Sequence, residues 1–450
     1  MKTDTSSIVK APLLLEYCAP SNLTADPGNP RVHKPTQVAA IARSIRTFGF
    51  VTPVVIDTGG TIICGHGRVA AALKLGLAEV PVIRVEHLSP DQRRAYMIAD
   101  NRLCDTSLWN ERLLGEVLRD LSVAELDFEL DAIGFSVGEI DLRIDALDDA
   151  GGEGVDDRPP RQSVPVTQNA DLWRLGRHRL LCGDSLDAES WSSLMAGTKA
   201  TMVFADVPYN LPVQGCVSGL GKVRHREFAM ASGEMDRDQF TAFLADSFRL
   251  MAAHSSPGSL HYVCLDWRHL SEMMAAGEAT FTELKNLCVW AKPAGAMGSL
   301  YRSQHELIFV WKSGRARHRN NVELGRHGRN RTNLWSYPSI SAFRHSEDGD
   351  LLADHPTCKP VKLVADAILD VTARGDVVVD PFMGSGTTLI AAERVGRIAH
   401  GLEIDPLYCD TILRRYRALT GDEPIHGLSG LSFARVEEQR TLEEEAADGR

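Results

Sequence analysis

Apolar residues cluster along this chain in short strand-like runs separated by longer amphipathic stretches. Thr201-Met202-Val203-Phe204-Ala205 and Val377-Val378-Val379 are the clearest runs, and 260–264, 286–290, 306–310 and 397–404 have the same character. Residues 171–184 read as a strand pair closing on Gly183-Asp184. The stretches 237–252 and 387–396 carry the helical period. Strands alternating with helices predict an α/β fold with a mostly parallel, doubly wound sheet.

The first third of the chain has a different texture. Val51-Thr52-Pro53-Val54-Val55-Ile56-Asp57 and Ile62-Ile63-Cys64 predict short strands around Thr58-Gly59-Gly60. Gly65-His66-Gly67-Arg68 opens a helical run from Val69 to Gly76, and a glycine-rich turn into a helix start can hold phosphate on free backbone amides. From about 88 to 140 the pattern is helical, starting at Ser89-Pro90-Asp91. Its apolar positions Leu103, Leu108, Leu113, Leu114, Val117, Leu118 and Leu121 are expected in a core, and no helix-turn-helix spacing is evident. An acidic, glycine-rich run at 144–166 reads as a linker. The acidic end, 426–450, is expected to be a flexible tail. The organisation expected is therefore 12–140, a linker at 144–166, a larger domain at 167–425 and the tail.

Composition narrows the class. With 450 residues, 44% apolar and 24% charged, the chain matches a soluble protein of two or three domains. No apolar stretch approaches the ~20 residues of a membrane span. The start carries no apolar leader core, so a cytoplasmic protein without membrane partners is expected. Nine cysteines without a Cys-x-x-Cys pair argue against zinc or a disulfide framework. His254, His261 and His269 lack metal-ligand spacing, so no metal is expected. The net charge of −11 disfavours nucleic acid at first sight, but base concentrates at 312–331. Lys312, Arg315, Arg317, Arg319, Arg326, Arg329 and Arg331 face only Glu323 there, and they are the expected phosphate contacts.

Two strings carry the chemistry: Asp206-Val207-Pro208-Tyr209-Asn210 and Asp380-Pro381-Phe382-Met383-Gly384-Ser385-Gly386-Thr387-Thr388. Each follows a strand-like run, which puts an acid and a sharp turn at a strand's C-terminal end, where open α/β sheets bind ligands. In the second string the glycines permit close backbone approach, and a helix begins near Thr387. Glu403 follows at about the 20-residue spacing of an acid that accepts ribose hydroxyls. A nicotinamide site uses the same logic, but with three glycines placed early in its domain.

The strings resemble motifs IV and I of the DNA methyltransferases that modify adenine-N6 or cytosine-N4, and the order of the motifs resembles the β group of that family. The first family pattern is Asp/Asn/Ser-Pro-Pro-Tyr, so Val207 replaces a proline. The resemblance spans roughly 167–425 and implies a Rossmann-like domain that uses S-adenosyl-L-methionine. It assigns catalysis to Asp206, Pro208 and Tyr209. Asp206 and the carbonyl of Val207 would accept hydrogen bonds from the target amino group, and Tyr209 would stack on a base flipped from the duplex. It assigns the cofactor to Asp380, Phe382, Gly384, Ser385, Gly386, Thr387 and Glu403. Asp184 and Lys359, in His355-Pro356-Thr357-Cys358-Lys359-Pro360, would complete the pocket. Asn286–Pro293 and 303–308 resemble segments near motif VIII, with Lys292 and Trp290 flanking the base or Trp290 in the core. The segment between the strings, about 312–345, would choose the target.

Gly65-His66-Gly67-Arg68, with Asn29-Pro30-Arg31, Phe48-Gly49-Phe50 and Asp100-Asn101-Arg102, resembles the ParB/sulfiredoxin N-terminal domain, a smaller α+β unit. Nucleotide-using relatives have Gly-Glu-Arg-Arg at that turn, so nucleotide use is not expected. The partners implied are double-stranded DNA and, for the protein itself, a second copy in a homodimer. Asp206 tilts the target toward adenine-N6. Cytosine-N4 is the alternative, and a ParB-like DNA-binding protein with an inactive methyltransferase part is another. The absence of a Pro-Cys dipeptide disfavours carbon-5 methylation.

Overall fold

The computed structural model describes residues 13–105, 109–124, 126–148, 164–210, 234–292, 295, 300–325, 329–337 and 359–448. It divides into two compact units, Met1–Asp148 and Asp149–Arg450.

The first unit joins a small sheet to helices. Its elements are β1 (Leu15–Cys18), α1 (Pro35–Phe48), β2 (Val54–Ile56), β3 (Ile62–Cys64), α2 (His66–Leu75), β4 (Val80–Arg84), α3 (Pro90–Asp105), α4 (Glu111–Val123) and α5 (Val137–Asp148). The sheet order is β1-β4-β2-β3, with β2 parallel to β4. Val54, Ile56, Val69 and Val82 fill its core. Gly65 caps α2 at φ +108°, a conformation that L side chains avoid. Asn110 caps α4 by accepting from Leu113 N at 3.2 Å.

The leucine stripe of this unit is only partly core. Leu118, Ile140 and Ile144 are buried between α4 and α5, whereas Leu103, Leu113 and Val117 are exposed. Leu114 packs against this cluster, so one row of the stripe is covered. Leu108 lies outside the described residues.

The second unit is built on a ten-stranded sheet. Its elements are β5 (Leu172–Leu175), β6 (His178–Cys182), α6 (Ala188–Met195), β7 (Ala200–Asp206), α7 (Arg237–Ala253), β8 (Ser255–Leu265), α8 (Leu270–Thr280), β9 (Glu283–Ala291), β10 (His305–Lys312), β11 (Leu334–Ser336), α9 (Val361–Val371), β12 (Val377–Asp380), α10 (Thr387–Arg394), β13 (Ile398–Glu403), α11 (Pro406–Thr420), β14 (Ile425–His426) and α12 (Phe433–Asp448). The strand order is β11-β9-β10-β8-β7-β12-β13-β6-β5-β14. The central run β8, β7, β12, β13, β6 is parallel, and β10 is antiparallel to β8 and β9. Alternate residues of β7 serve opposite faces. Met202 and Phe204 pack with α9, α10, α11 and α12, while Val203 and Ala205 pack with α6, α7 and α8. The expected α/β architecture is present.

Both ends of the expected domain need correction. The 426–450 segment is not a loose tail: α12 docks on the sheet through Phe433 and Val436, both in the core. One turn on, Arg440 reaches Asp171 Oδ2 at 2.6 Å and the carbonyl of Val166. Positions 433, 436 and 440 share a helix face, and Glu437 beside them pairs with Arg414 of α11 at 2.8 Å. At the expected linker, α5 runs to Asp148, 149–163 lie outside the described residues, and the amides of Val166 and Thr167 already donate to Asp410 at 2.6 and 2.9 Å.

Candidate functional site

β7 and β12 are neighbours and run parallel, so the turns that follow them open on the same edge of the sheet. β13 and β6 continue the series and end at Glu403 and at Gly183-Asp184. The topology therefore aligns Asp206, Asp380, Glu403 and Asp184 along one edge. Asp184 and Asp380 are far apart in sequence because the chain returns to the centre of the sheet late.

On the β12 side the backbone is shaped for close approach. Gly384 and Gly386 have φ of +54° and +86°, and a Cβ on Gly386 would meet Ile412 at 2.9 Å. Asp380 accepts from Phe382 N at 3.0 Å and from the Thr388 hydroxyl at 2.5 Å, which fixes the turn into α10. Thr387 begins that helix. Glu403 accepts from Gly384 N at 2.7 Å and from Asp405 N at 2.9 Å. Burial pushes both the Glu403 and Asp380 carboxyls up to about 7. Asp184 accepts from Leu186 N at 2.8 Å, while Gly183 N donates to the carbonyl of Glu403 at 2.9 Å. The Ser385 carbonyl accepts from the buried Arg415 guanidinium of α11. Sequence reading missed Arg415, because nothing in the local pattern marks a helix residue 30 positions downstream as the brace of a loop.

On the β7 side a charged cluster surrounds the acid. Lys359 Nζ lies 2.7 Å from each oxygen of Asp206 and 2.9 Å from Glu306 Oε2. The Tyr209 hydroxyl donates toward Asp206 at 3.0 Å and toward Glu306 at 3.2 Å. Lys292 pairs with the other oxygen of Glu306 and lies 4.9 Å over the ring of Trp290. Lys359 and Glu306 are buried, whereas 26% of the Asp206 side chain remains exposed. Burial raises Asp206, Lys359 opposes that, and Glu306 adds to it. Burial also works to raise Glu306, but Lys359 and Lys292 prevail and hold it down to about 2. Lys359 stays charged: burial disfavours the ammonium, and Asp206 and Glu306 more than compensate.

This cluster revises one assignment. Lys359 was expected in the cofactor pocket and instead pairs with Asp206, because the segment just before α9 reaches the β7 end of the edge. Its companions His355–Cys358 lie outside the described residues. Glu306 was not singled out, and its signal was faint: an acid opening an otherwise apolar strand, 306–310. Val207 is buried in the core, so the residue that replaces the family's proline acts as packing. Pro208 follows it, partly exposed. Asn210, at φ +50°, holds Met235 through both ends of its amide, at 2.8 and 3.2 Å. Trp290 is 2% exposed, with its indole nitrogen donating to the Tyr337 carbonyl at 3.3 Å, which favours the core reading of that residue.

The basic stretch is corrected more deeply. β10 runs away from the site: Glu306 opens it at the Asp206 end, and Lys312 closes it beside Leu260. Ser313 then accepts from Gly258 N at 2.6 Å, Arg317 lies against Gly258, and Arg319 is 3.9 Å from Asp376, just before β12 begins. Lys312, Arg315, Arg317 and Arg319 thus gather at the opposite edge of the sheet. The seven residues of β7 put that edge roughly 20 Å from Asp206. Arg329 and Arg331 are engaged elsewhere, 2.9 and 3.0 Å from the two oxygens of Asp370 on α9, with Asp366 at 3.5 Å from each. A guanidinium spent on a buried carboxylate has little left for a phosphate. Arg326 and all of 338–345 lie outside the described residues.

Residues 200–414 match a model described as DNA methylase, residues 8–101 the ParB N-terminal domain, and residues 112–169 the ParB-methyltransferase HTH domain. The last match corrects the expectation that no helix-turn-helix is present. The segment between α4 and α5 is long and contains a 3-10 turn and Gly134 at φ +100°, so the usual short-turn spacing is hidden. A type II methyltransferase, M2.DpnII of Streptococcus pneumoniae, is 28% identical over 251 residues, covering 52% of this chain and 88% of its own. The ParB-like nuclease domain-containing protein YnaK of Escherichia coli (strain K12) is 47% identical over 66 residues, covering 15% of this chain and 76% of its own. Among solved structures, a putative DNA modification methylase from Thermus thermophilus, complexed with S-adenosyl-L-methionine, aligns at 20% identity with a TM-score of 0.38 over 57% of this chain and 96% of its own.

Proposed function

Because the chain carries a DNA-methylase domain of the N6/N4 family joined to ParB N-terminal and helix-turn-helix domains, we propose that it methylates the exocyclic amino group of adenine, N6, in double-stranded DNA. The observation that carries this reading is the adjacency of β7 and β12, which sets Asp206 beside the glycine cradle. The residues fit S-adenosyl-L-methionine: Gly384 and Gly386 hold the loop in left-handed conformations that side chains avoid, Glu403 can take ribose hydroxyls, and the buried Ser185 hydroxyl has no hydrogen-bond partner among the described residues. Bound there, the cofactor would supply an electrophilic methyl group for the target amino nitrogen, which would give up one proton to water in exchange.

The chain's own residues do the rest. Asp206 and the Val207 carbonyl accept from the amino group, which localises a lone pair otherwise spread into the ring and stabilises the positive charge that develops. The ring of Tyr209, its hydroxyl held by Asp206, offers a face for the flipped base. Holding the two reactants in line supplies a further entropic advantage. The N-terminal unit, joined through 149–163, is read as a tethered DNA contact that raises local concentration without a required nucleotide. Double-strand use, dimerisation and a cytoplasmic site belong to the same reading. Among the described residues no helix is long and apolar enough to cross a membrane.

The test is to map modified bases in DNA from cells that express the chain. N6-methyladenine at a short fixed sequence supports the reading, N4-methylcytosine would replace its finer half, and unmodified DNA would overturn it. A second expectation concerns pH. Glu403 accepts hydroxyls best when ionised, and its carboxyl is raised to about 7 before the ligand arrives. Cofactor affinity should therefore rise as pH rises toward 7 and level off above it, with proton release on binding near neutrality. Calorimetry in buffers of different ionisation enthalpy reads this directly, and a flat or falling profile would remove Glu403 from the site. The same raised values have a stability corollary. Asp380 and Glu403 favour the ligand-free fold when protonated, so that contribution is lost as pH rises through about 7.

A further inference from the structure

Glu306 has no task in the reaction as described, yet it is buried at 6% exposure within reach of the groups around the acceptor acid. The hydrogen count around it is informative. An ammonium has three hydrogens. Lys359 Nζ faces four acceptors: Asp206 Oδ1 and Oδ2 at 2.7 Å, Glu306 Oε2 at 2.9 Å and the Tyr209 oxygen at 3.1 Å. The single Tyr209 hydroxyl hydrogen lies between Asp206 at 3.0 Å and Glu306 at 3.2 Å. The cluster is over-subscribed, so small shifts exchange one pairing for another without stranding a charge.

In the arrangement seen, Asp206 has its charge answered by Lys359. A target amino group that turns cationic beside it would face an ammonium as well as a carboxylate. Resting on the methyl-transfer reading above, we propose that Glu306 is a positioning residue: it is the seat to which Lys359 moves when the target amino group takes Asp206. The move keeps the buried ammonium paired and frees the acid. Lys292 holds the far oxygen of Glu306 and rests over Trp290, so the seat itself stays fixed. β9 and β10 pair Trp290 with Glu306 directly, which sets that geometry in the backbone. The other titratable groups that face Lys359 are Cys264 on β8 and Asp380 on β12, and Asp380 is already engaged by Phe382 N and Thr388.

The test uses the full chain with Glu306→Gln and Glu306→Asp. The readouts are single-turnover methylation from neutral to alkaline pH, cofactor affinity and melting temperature. Glu306→Gln should lower the rate by about 10²-fold, as misplacement of a reacting partner does, with cofactor affinity unchanged. The deficit should shrink as pH rises, because an ammonium left with one carboxylate gives up its proton earlier than one held by two. Glu306→Asp, which keeps the charge, should recover part of the rate. A wild-type rate in Glu306→Gln, or a deficit that is flat in pH and shared by Glu306→Asp, overturns the proposal. If Glu306→Gln does not fold, Glu306→Asp decides: an intermediate rate with alkaline recovery supports the seat, and a flat profile overturns it. Asp206→Ala separates this from the underlying reading, since normal turnover there would remove that reading whatever the Glu306 variants do.

Discussion

Asp206→Ala should cut methyl transfer by about 10²–10³-fold while leaving cofactor binding intact. The substitution removes the whole carboxylate, and with it the side-chain acceptor proposed to face the developing cation. Loss of one such preorganised group costs on the order of 10²–10³ in rate. The fold should tolerate the change, because Lys359 keeps Glu306 at 2.9 Å as a counter-charge. The cofactor side should not register it either, since the Asp380, Gly384, Thr388 and Glu403 contacts are made without Asp206. The measurement pairs single-turnover methylation with calorimetric cofactor binding on one protein sample. Full activity would show that the acceptor lies elsewhere, and lost cofactor binding would show that the two sides of the edge are not separable.

The second large effect is on stability. Asp370→Asn should destabilise the methylase unit by roughly 3–5 kcal/mol, the range for breaking a buried ion pair by removing one partner. Asp370 is 5% exposed and takes a guanidinium on each oxygen, Arg329 at 2.9 Å and Arg331 at 3.0 Å. Burial alone would raise its carboxyl, and the two arginines oppose that. With the acid neutralised, the buried Arg329 and the half-buried Arg331 share Asp366, which Tyr337 also engages at 2.7 Å. Denaturant unfolding of the wild type and the variant measures the difference. A change below about 1 kcal/mol, the scale of an exposed pair, would mean that the arginines reach solvent and are available to DNA after all. Salt dependence of DNA binding gives the complementary reading. Neutralising Arg315, Arg317 and Arg319 at the far edge should leave the slope unchanged, where each lost phosphate contact would lower it by about 0.9.

Much of the site was legible because its signals are local. A strand-like run followed by Asp206-Val207-Pro208-Tyr209, or by Asp380 and paired glycines, states its own conformation within a short window. Backbone sterics and strand burial act over that range, and so did the spacing to Glu403, which is one helix and one strand long. The sequence alone therefore determined the α/β class, the two acid-bearing turns, the glycine turn after β12 and the division into an N-terminal unit and a methylase unit. Charge was not legible in the same way. A run of arginines looks the same whether it faces solvent or a pair of acids on a helix one turn apart, such as Asp366 and Asp370, and only the packing of 329–337 against α9 decided it. Strand direction decided the rest of that segment: β10 carries Glu306 to the site and Lys312 away from it, an inversion no composition reveals. The acidic end became a docked helix because Phe433, Val436 and Arg440 share one face, a pattern outweighed in the sequence by the acids around it. Lys359 and Glu306 met Asp206 for the same kind of reason. Pairing energy between buried charges depends on distance in space, and the sheet alone sets that distance.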